Sequence, residues 1–177
     1  MTLRTLLTMA TALAMAFPAN AVEYKDVSLS GDGSALIITR ADGSTIKAPR
    51  FEDQDSFDAP NVSPGGRYVG WLAQYPGLGA TYSQPLYLMV MDRNRRVHRF
   101  FGGLGFVHRW CFWPRRNAVV YAYGFSHGQR STWYELRRID DERVLGRHEI
   151  PDESLGNTKA LRTAPVWVRC IPGWNEQ

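Results

Sequence analysis

The sequence predicts an all-β fold of about three antiparallel sheets, preceded by a short N-terminal export signal. Three strand–turn–strand segments align without gaps, each is followed by a second hairpin signal, and no segment after residue 21 has a convincing helical period. Composition agrees with a folded domain. Of 177 residues, 44% are hydrophobic and 21% charged, with only 2 Cys, which excludes disordered, collagen-like and Cys-rich chains.

The N-terminus comes first. Arg4 precedes the uncharged, Ala-rich run 6–17, then Pro18 and the small residues Ala19-Asn20-Ala21. A positive start, an apolar stretch and a small-residue site read as a secretory signal peptide cleaved after Ala21. The apolar run is shorter than the roughly 20 residues a membrane span requires. No Cys follows it to carry a lipid. Removing residues 1–21 of the 177 leaves 156, expected in the periplasm or secreted, with no stable membrane span.

The hairpins follow in order. Val27-Ser28-Leu29 and Leu36-Ile37-Ile38 flank a turn at Asp32-Gly33. Asn61-Val62 and Tyr68 to Leu72 flank Pro64-Gly65-Gly66, where Pro presets φ and Gly permits positive φ. Cys111-Phe112-Trp113 and Ala118 to Ala122 flank Pro114 to Asn117. The three align on Ser30, Ser63 and Trp113. The second signals are Asp42-Gly43, Asp92-Arg93-Asn94 and Asp140-Asp141-Glu142, each between runs rich in β-branched, aromatic and large apolar residues. Residues 131–147 can be drawn as an amphipathic helix, but the alignment favours a hairpin. The organisation expected is a β domain over 22–150, with copies near 27–50, 61–101 and 109–150, and a C-terminal extension, 151–177, docked on it.

Strand, Ser-Pro-(Asp/Gly)-Gly turn, strand, longer connection, strand, Asp-centred turn and strand resembles a blade of the β-propellers in the broad TolB-like and WD-repeat class. Val62 to Phe100 carries it best. Val69-Gly70-Trp71 with Tyr134-Glu135-Leu136-Arg137 is also similar to a group of exported bacterial proteins with propeller-like repeats. The resemblance spans residues 27–150. The Gly-His and Trp-Asp signatures of WD repeats are absent, the first copy lacks a long middle connection, and the third lacks its turn glycine. What the resemblance implies is a partial β-propeller or a propeller-like stack. Blades take about 40–45 residues and closed rings at least about four blades, so the chain holds three and a fraction. Two arrangements stay open: a stack sealed by the C-terminal segment, or a partial ring completed by a second copy, hence a homo-oligomer.

Export lets Cys111 and Cys170 form a disulfide, the single intramolecular pairing available. On chain entropy such a bridge stabilises the fold by roughly 4 kcal/mol. It would hold a terminal strand, Val166 to Cys170, over an open sheet edge. Two buried free thiols are the alternative.

Charge is uneven. Residues 91–150 contain 12 Arg and no Lys against six acids, whereas 22–90 contain five basic and eight acidic residues. The Arg cluster 93–99 suits an acidic partner or an anionic surface, and export disfavours nucleic acid. Tyr75 and Tyr82 bound an uncharged loop, and aromatics with arginine concentrate binding energy at interfaces. The candidate binding residues are therefore Tyr75, Tyr82, Arg93, Arg95, Arg96 and His127, with a cell-envelope protein as the expected partner; a glycan-binding module is another reading.

One catalytic pattern competes. Gly124-Phe125-Ser126-His127-Gly128 matches G-x-S-x-G after a strand-like run, and Asp140 and His148 follow in hydrolase order. That elbow requires a following helix and a parallel sheet, which the downstream strand pattern does not supply. No metal site is expected, since His98, His108, His127 and His148 are dispersed and the acidic loop Glu52, Asp53, Asp55 and Asp58 lacks calcium-loop spacing. No phosphate-binding glycine loop or dinucleotide fingerprint is present, so no cofactor is expected. Mass spectrometry of the exported protein should find an N-terminus at Val22; retention of residues 1–21 would contradict the cleaved-signal reading.

Overall fold

The computed structural model describes residues 23–77, 82–101, 105–125, 131–151 and 163–173. These residues hold eleven strands in three antiparallel sheets. β1 (Tyr24–Leu29), β2 (Leu36–Arg40) and β3 (Thr45–Lys47) form the first sheet in the order β1-β2-β3. β4 (Ser56–Val62), β5 (Tyr68–Pro76), β6 (Ser83–Asp92) and β7 (Val97–Phe100) form the second in chain order, and β8 (Phe106–Trp113), β9 (Ala118–Gly124), β10 (Ser131–Arg138) and β11 (Val144–Pro151) form the third. The fold is all-β, and residues 131–147 lie in the β10–β11 hairpin.

The sheets stack in layers, and the apolar patterns say why. β5 and β9 read as continuous apolar runs because both of their faces are covered. Val69, Trp71 and Ala73 pack with Tyr24, Leu36 and Ile38 of the first sheet. Tyr68 and Leu72 pack on the opposite side with Trp110, Phe112, Val119 and Tyr121 of the third. The far face of the third sheet, with Val120, Ala122, Tyr134 and Leu136, is covered by Ala164, Val168 and Ile171 of the C-terminal segment. The outer face of the first sheet is polar by comparison, presenting Ser28, Ile37 and Lys47 in register.

The turn repeat is visible atom by atom. In the first copy Ala35 donates its N–H to Ser30 Oγ and Gly33 donates to the Ser30 carbonyl, both at 2.9 Å. In the second, Tyr68 donates to Ser63 Oγ and Gly66 to the Ser63 carbonyl, again at 2.9 Å. The third copy keeps the spacing, with Trp113 paired to Ala118, but builds the turn from a single 3-10 turn, Pro114–Arg116, closed by Asn117 at φ 47°. Asn tolerates that left-handed conformation, which is how the copy does without glycine.

The orientation of the first sheet is not one the repeat foretells. Tyr24, at the start of β1, donates its N–H to the Gly66 carbonyl at the end of the β4–β5 turn (2.8 Å), while Phe57, at the start of β4, donates to the Gly33 carbonyl (3.0 Å). β1 therefore runs antiparallel to β4. The second and third sheets lie in the same sense, since Arg67 reaches Asn117 and Tyr68 donates its hydroxyl to Asp140 Oδ1 (2.9 Å), joining their turn ends.

Cys111 and Cys170 form a disulfide, with Cα atoms 6.0 Å apart. The segment it ties down differs from the terminal strand the sequence suggests. Val168–Cys170 is a 3-10 turn, begun by a bond from the Val168 N–H to the Pro165 carbonyl (2.9 Å), and it covers a sheet face instead of an edge. Prolines at 165 and 172 bracket the segment and leave no length for a paired strand.

Gly66 tests the seam between the first two sheets. It sits at φ +62°, and a Cβ there would lie 2.4 Å from the Tyr24 carbonyl oxygen, whereas Gly43 at φ +81° faces open space. Replacing Gly43 with Ala should cost about 1 kcal/mol through backbone strain alone. Gly66→Ala should cost about 3 kcal/mol or more by adding backbone overlap to that strain. Equal losses for the two variants in urea unfolding would contradict the seam.

Candidate functional site

Two irregularities in the sheets meet at one place. β4 bulges between Asp58 and Asn61, with Ala59 in the left-handed region at φ 43° and Pro60 unable to donate to a ladder. β8 bulges between Val107 and Arg109, which leaves His108 unpaired and exposed. Both strands end their sheets. The bulges border a cleft of about 450 Å³, walled by Ala59, Pro60, Asn61, His108, Arg109, Trp110 and the C-terminal Pro172 and Gly173.

Trp110, Arg109 and His108 are each positioned by specific contacts. Trp110 donates its indole N–H to the Ala59 carbonyl (3.0 Å), and its ring lies against Gly70, where a Cβ would come within 2.5 Å of it. Arg109 donates from one Nη1 to the carbonyls of Gly173 (2.9 Å) and Pro172 (3.3 Å), so it pins the C-terminal segment as the third side of the cleft. The His108 residue is exposed overall, but partial burial of its ring pushes the imidazole below its ordinary value, and the Arg109 charge adds to this, while a hydrogen bond to the Gly124 carbonyl acts the other way. Among the described residues no Asp or Glu lines the cleft.

The candidate binding residues divide between the two ends of the second sheet. Tyr75 and Tyr82 lie at the β5–β6 loop end. Tyr82 is 53% exposed, and Phe101 (40%) and Phe125 (42%) are exposed at the same end of their strands. Tyr75 is half-buried, edge-on to Tyr87, which also contacts Phe101 and carries the Arg99 guanidinium 3.6 Å above its ring. Arg93, Arg95 and Arg96 lie at the opposite, turn end. Arg93 pairs with Glu23 at 2.9 Å, and Arg95 occupies the turn at φ 65°, the place Gly43 takes in the first sheet. Arg67, Arg115 and Arg116 converge on this end from two neighbouring turns.

Ser126 and His127 lie outside the described residues. The structure does not bring Asp140 and His148 together. Asp140 faces the second sheet through Tyr68, whereas His148 packs on Tyr134, on the face covered by the C-terminal segment. Among the described residues no group of three His, Cys, Asp or Glu could hold a metal ion. Glu52, Asp53, Asp55 and Asp58 are all exposed.

A buried charge appears where sequence reasoning assigned none. Glu135, 3% exposed, accepts from the Tyr121 hydroxyl (2.6 Å), Arg137 Nε (2.6 Å) and Arg147 Nε (2.9 Å). Burial pushes its carboxyl up, but the bonds from Tyr121, Arg137 and Arg147 outweigh this and hold it below the usual range. Burial and the facing Glu135 push Tyr121 well up. The network ties β9, β10 and β11 together, and Tyr121 reaches the Phe101 carbonyl at 3.3 Å. The cleft residues Asn61, His108, Arg109 and Trp110 also escaped sequence reasoning as a group. Pro60 inside a strand and the polar pair His108-Arg109 inside an apolar one are the signals of bulges that could have pointed to them.

No protein family and no curated protein matches the chain. Among solved structures it is similar to an acylaminoacyl peptidase from Pyrococcus horikoshii, in its orthorhombic crystal form, with 13% identity and a TM-score of 0.44 over 74% of this chain. The chain spans 25% of that protein's length. At that identity and score the likeness assigns neither fold nor chemistry.

Glu135→Gln keeps the shape and removes the charge. It should destabilise the protein by about 2–3 kcal/mol, since charge-assisted hydrogen bonds are lost in a buried place. A carboxyl held below its unfolded value of about 4.3 contributes stability above that pH and loses it as pH falls through the lower folded value. The Gln variant should therefore show a shallower acid-side loss in unfolding midpoints than the wild type; parallel pH profiles would contradict the assignment.

Proposed function

We propose that this chain is an exported binding protein of the cell envelope, periplasmic or secreted after loss of residues 1–21, whose propeller-like β scaffold presents loop aromatics to another protein. The observation that carries this is the loop end of the second and third sheets. Tyr82, Phe101 and Phe125 are exposed there, although a folded chain gains by burying such rings, and Tyr75, Tyr87 and Arg99 back them with ring and cation–π contacts. Aromatics over a rigid support are the usual anchors of protein interfaces.

The mechanism is presentation by a rigid stack, with no covalent step. Arginines at the opposite end, with Arg95 and Arg96 exposed, supply a separate face for an acidic partner or an acidic region of the same one. The layered packing supports a stack sealed by its own C-terminal segment. The polar outer face of the first sheet offers a second copy little apolar area to complete a ring.

Affinity capture from envelope extract should recover one protein stoichiometrically, and the Tyr82→Ala, Phe101→Ala double variant should recover it at least about tenfold less while unfolding at the same midpoint. Equal recovery by a folded double variant would sink the aromatic interface.

A further inference from the structure

We infer that the cleft between β4 and β8 binds a carboxylate carrying an apolar body, either a small organic acid or the carboxyl terminus of a peptide, with Arg109 as its anchor. The inference is independent of the aromatic loop end. Three features that no packing requirement explains coincide at this cleft. Ala59 is held in a left-handed conformation, Pro60 interrupts an end strand, and a bulge in β8 turns His108 outward. Bulges re-aim side chains, and strained backbone gathers at ligand sites.

The chemistry of the wall selects the ligand. Arg109 satisfies Nη1 with two neutral carbonyls, and among the described residues its Nε and Nη2 have no acceptor and its charge no acidic partner. A guanidinium held in this way is preorganised for the two parallel bonds a carboxylate accepts. Asp58, next to the wall residue Ala59, is not among the residues lining the cleft and accepts instead from the Ala59 N–H and from Gln74. Exposed Asn61 adds an amide N–H at the rim. One fixed cation suits a monoanion and falls short of a phosphate group. Trp110, Pro60 and Pro172 provide the apolar surface for the rest of the molecule. The volume of about 450 Å³ lies within the range of about 300–1,000 Å³ common to small-molecule sites.

The test follows the Trp110 indole N–H signal by NMR on the full-length exported protein, with Trp110→Phe to assign it. Benzoate and the acid N-acetyl-Gly-Ala-Leu are titrated beside their carboxamides, benzamide and N-acetyl-Gly-Ala-Leu-NH2. Saturable shifts are expected with at least one of the two acids, and at least about tenfold weaker binding by the matching amide, the loss of one charge-assisted pair. Saturation by benzoate alone assigns a small acid; saturation by the peptide alone assigns a carboxyl terminus. Arg109→Gln should weaken the acid at least about tenfold and leave the amide unchanged. Because Arg109 also holds Pro172 and Gly173, Arg109→Lys and the exposed-site variant Asn61→Ala are run with it, and each should lose binding severalfold at an unchanged unfolding midpoint. No shift with either acid, equal shifts with acid and amide, or full acid binding by all three variants would overturn the assignment.

Discussion

β5 buries Val69, Trp71 and Ala73 against the first sheet and Tyr68 and Leu72 against the third, so the second sheet has no side on which to meet water. A sheet apolar on both faces is stable only between two layers. The third sheet is under the same constraint through β9, whose Val119 and Tyr121 face one way and Val120 and Ala122 the other. Every peripheral part of the molecule answers to this need. The short first sheet covers one interior layer while keeping a polar outer face, and the C-terminal segment covers the other with Ala164, Val168 and Ile171. Neither cover has an extended ladder joining it to the sheet it covers. A backbone seam at Tyr24–Gly66 and Gly33–Phe57 serves on one side, and the Cys111–Cys170 bridge with the Arg109 carbonyl contacts serves on the other.

Much of this was legible in the sequence because it is local. A Ser followed five residues later by its strand partner set the turns at Ser30 and Ser63, and the same spacing brought out the third copy at Trp113 despite its missing glycine. Two cysteines allow one intramolecular bridge. What escaped depends on contacts that sequence spacing does not encode. Orientation of the first sheet rests on two backbone hydrogen bonds between segments more than twenty residues apart. The cleft depends on two bulges in separate sheets, and a bulge changes which side a residue faces without changing composition. Glu135 lay in a motif noted for its resemblance, yet its burial is intelligible only once partners from three adjacent strands are counted.

The arginines show how a charge pattern can be right in sum and misleading residue by residue. Twelve of them in residues 91–150 suggested a basic surface. Arg93 is engaged with Glu23, Arg137 and Arg147 with Glu135, and Arg138 with Asp141. Arg95 stands in a turn position that favours glycine. Tyr75 and Tyr82, which a linear reading groups with Arg93 to Arg96, sit a full strand length away, because β6 carries the chain from one end of the second sheet to the other.

Cys111 is two residues from Arg109 on β8, and Cys170 is two residues before Pro172. The bridge and the guanidinium clamp thus fasten the same short segment, one covalently and one by charge–dipole contact. That segment is a wall of the cleft. The bridge therefore bears on the cleft as well as on the core, because it fastens a segment next to two of the cleft's wall residues. The redox state of the Cys111–Cys170 pair is thus also a condition on the geometry of the cleft.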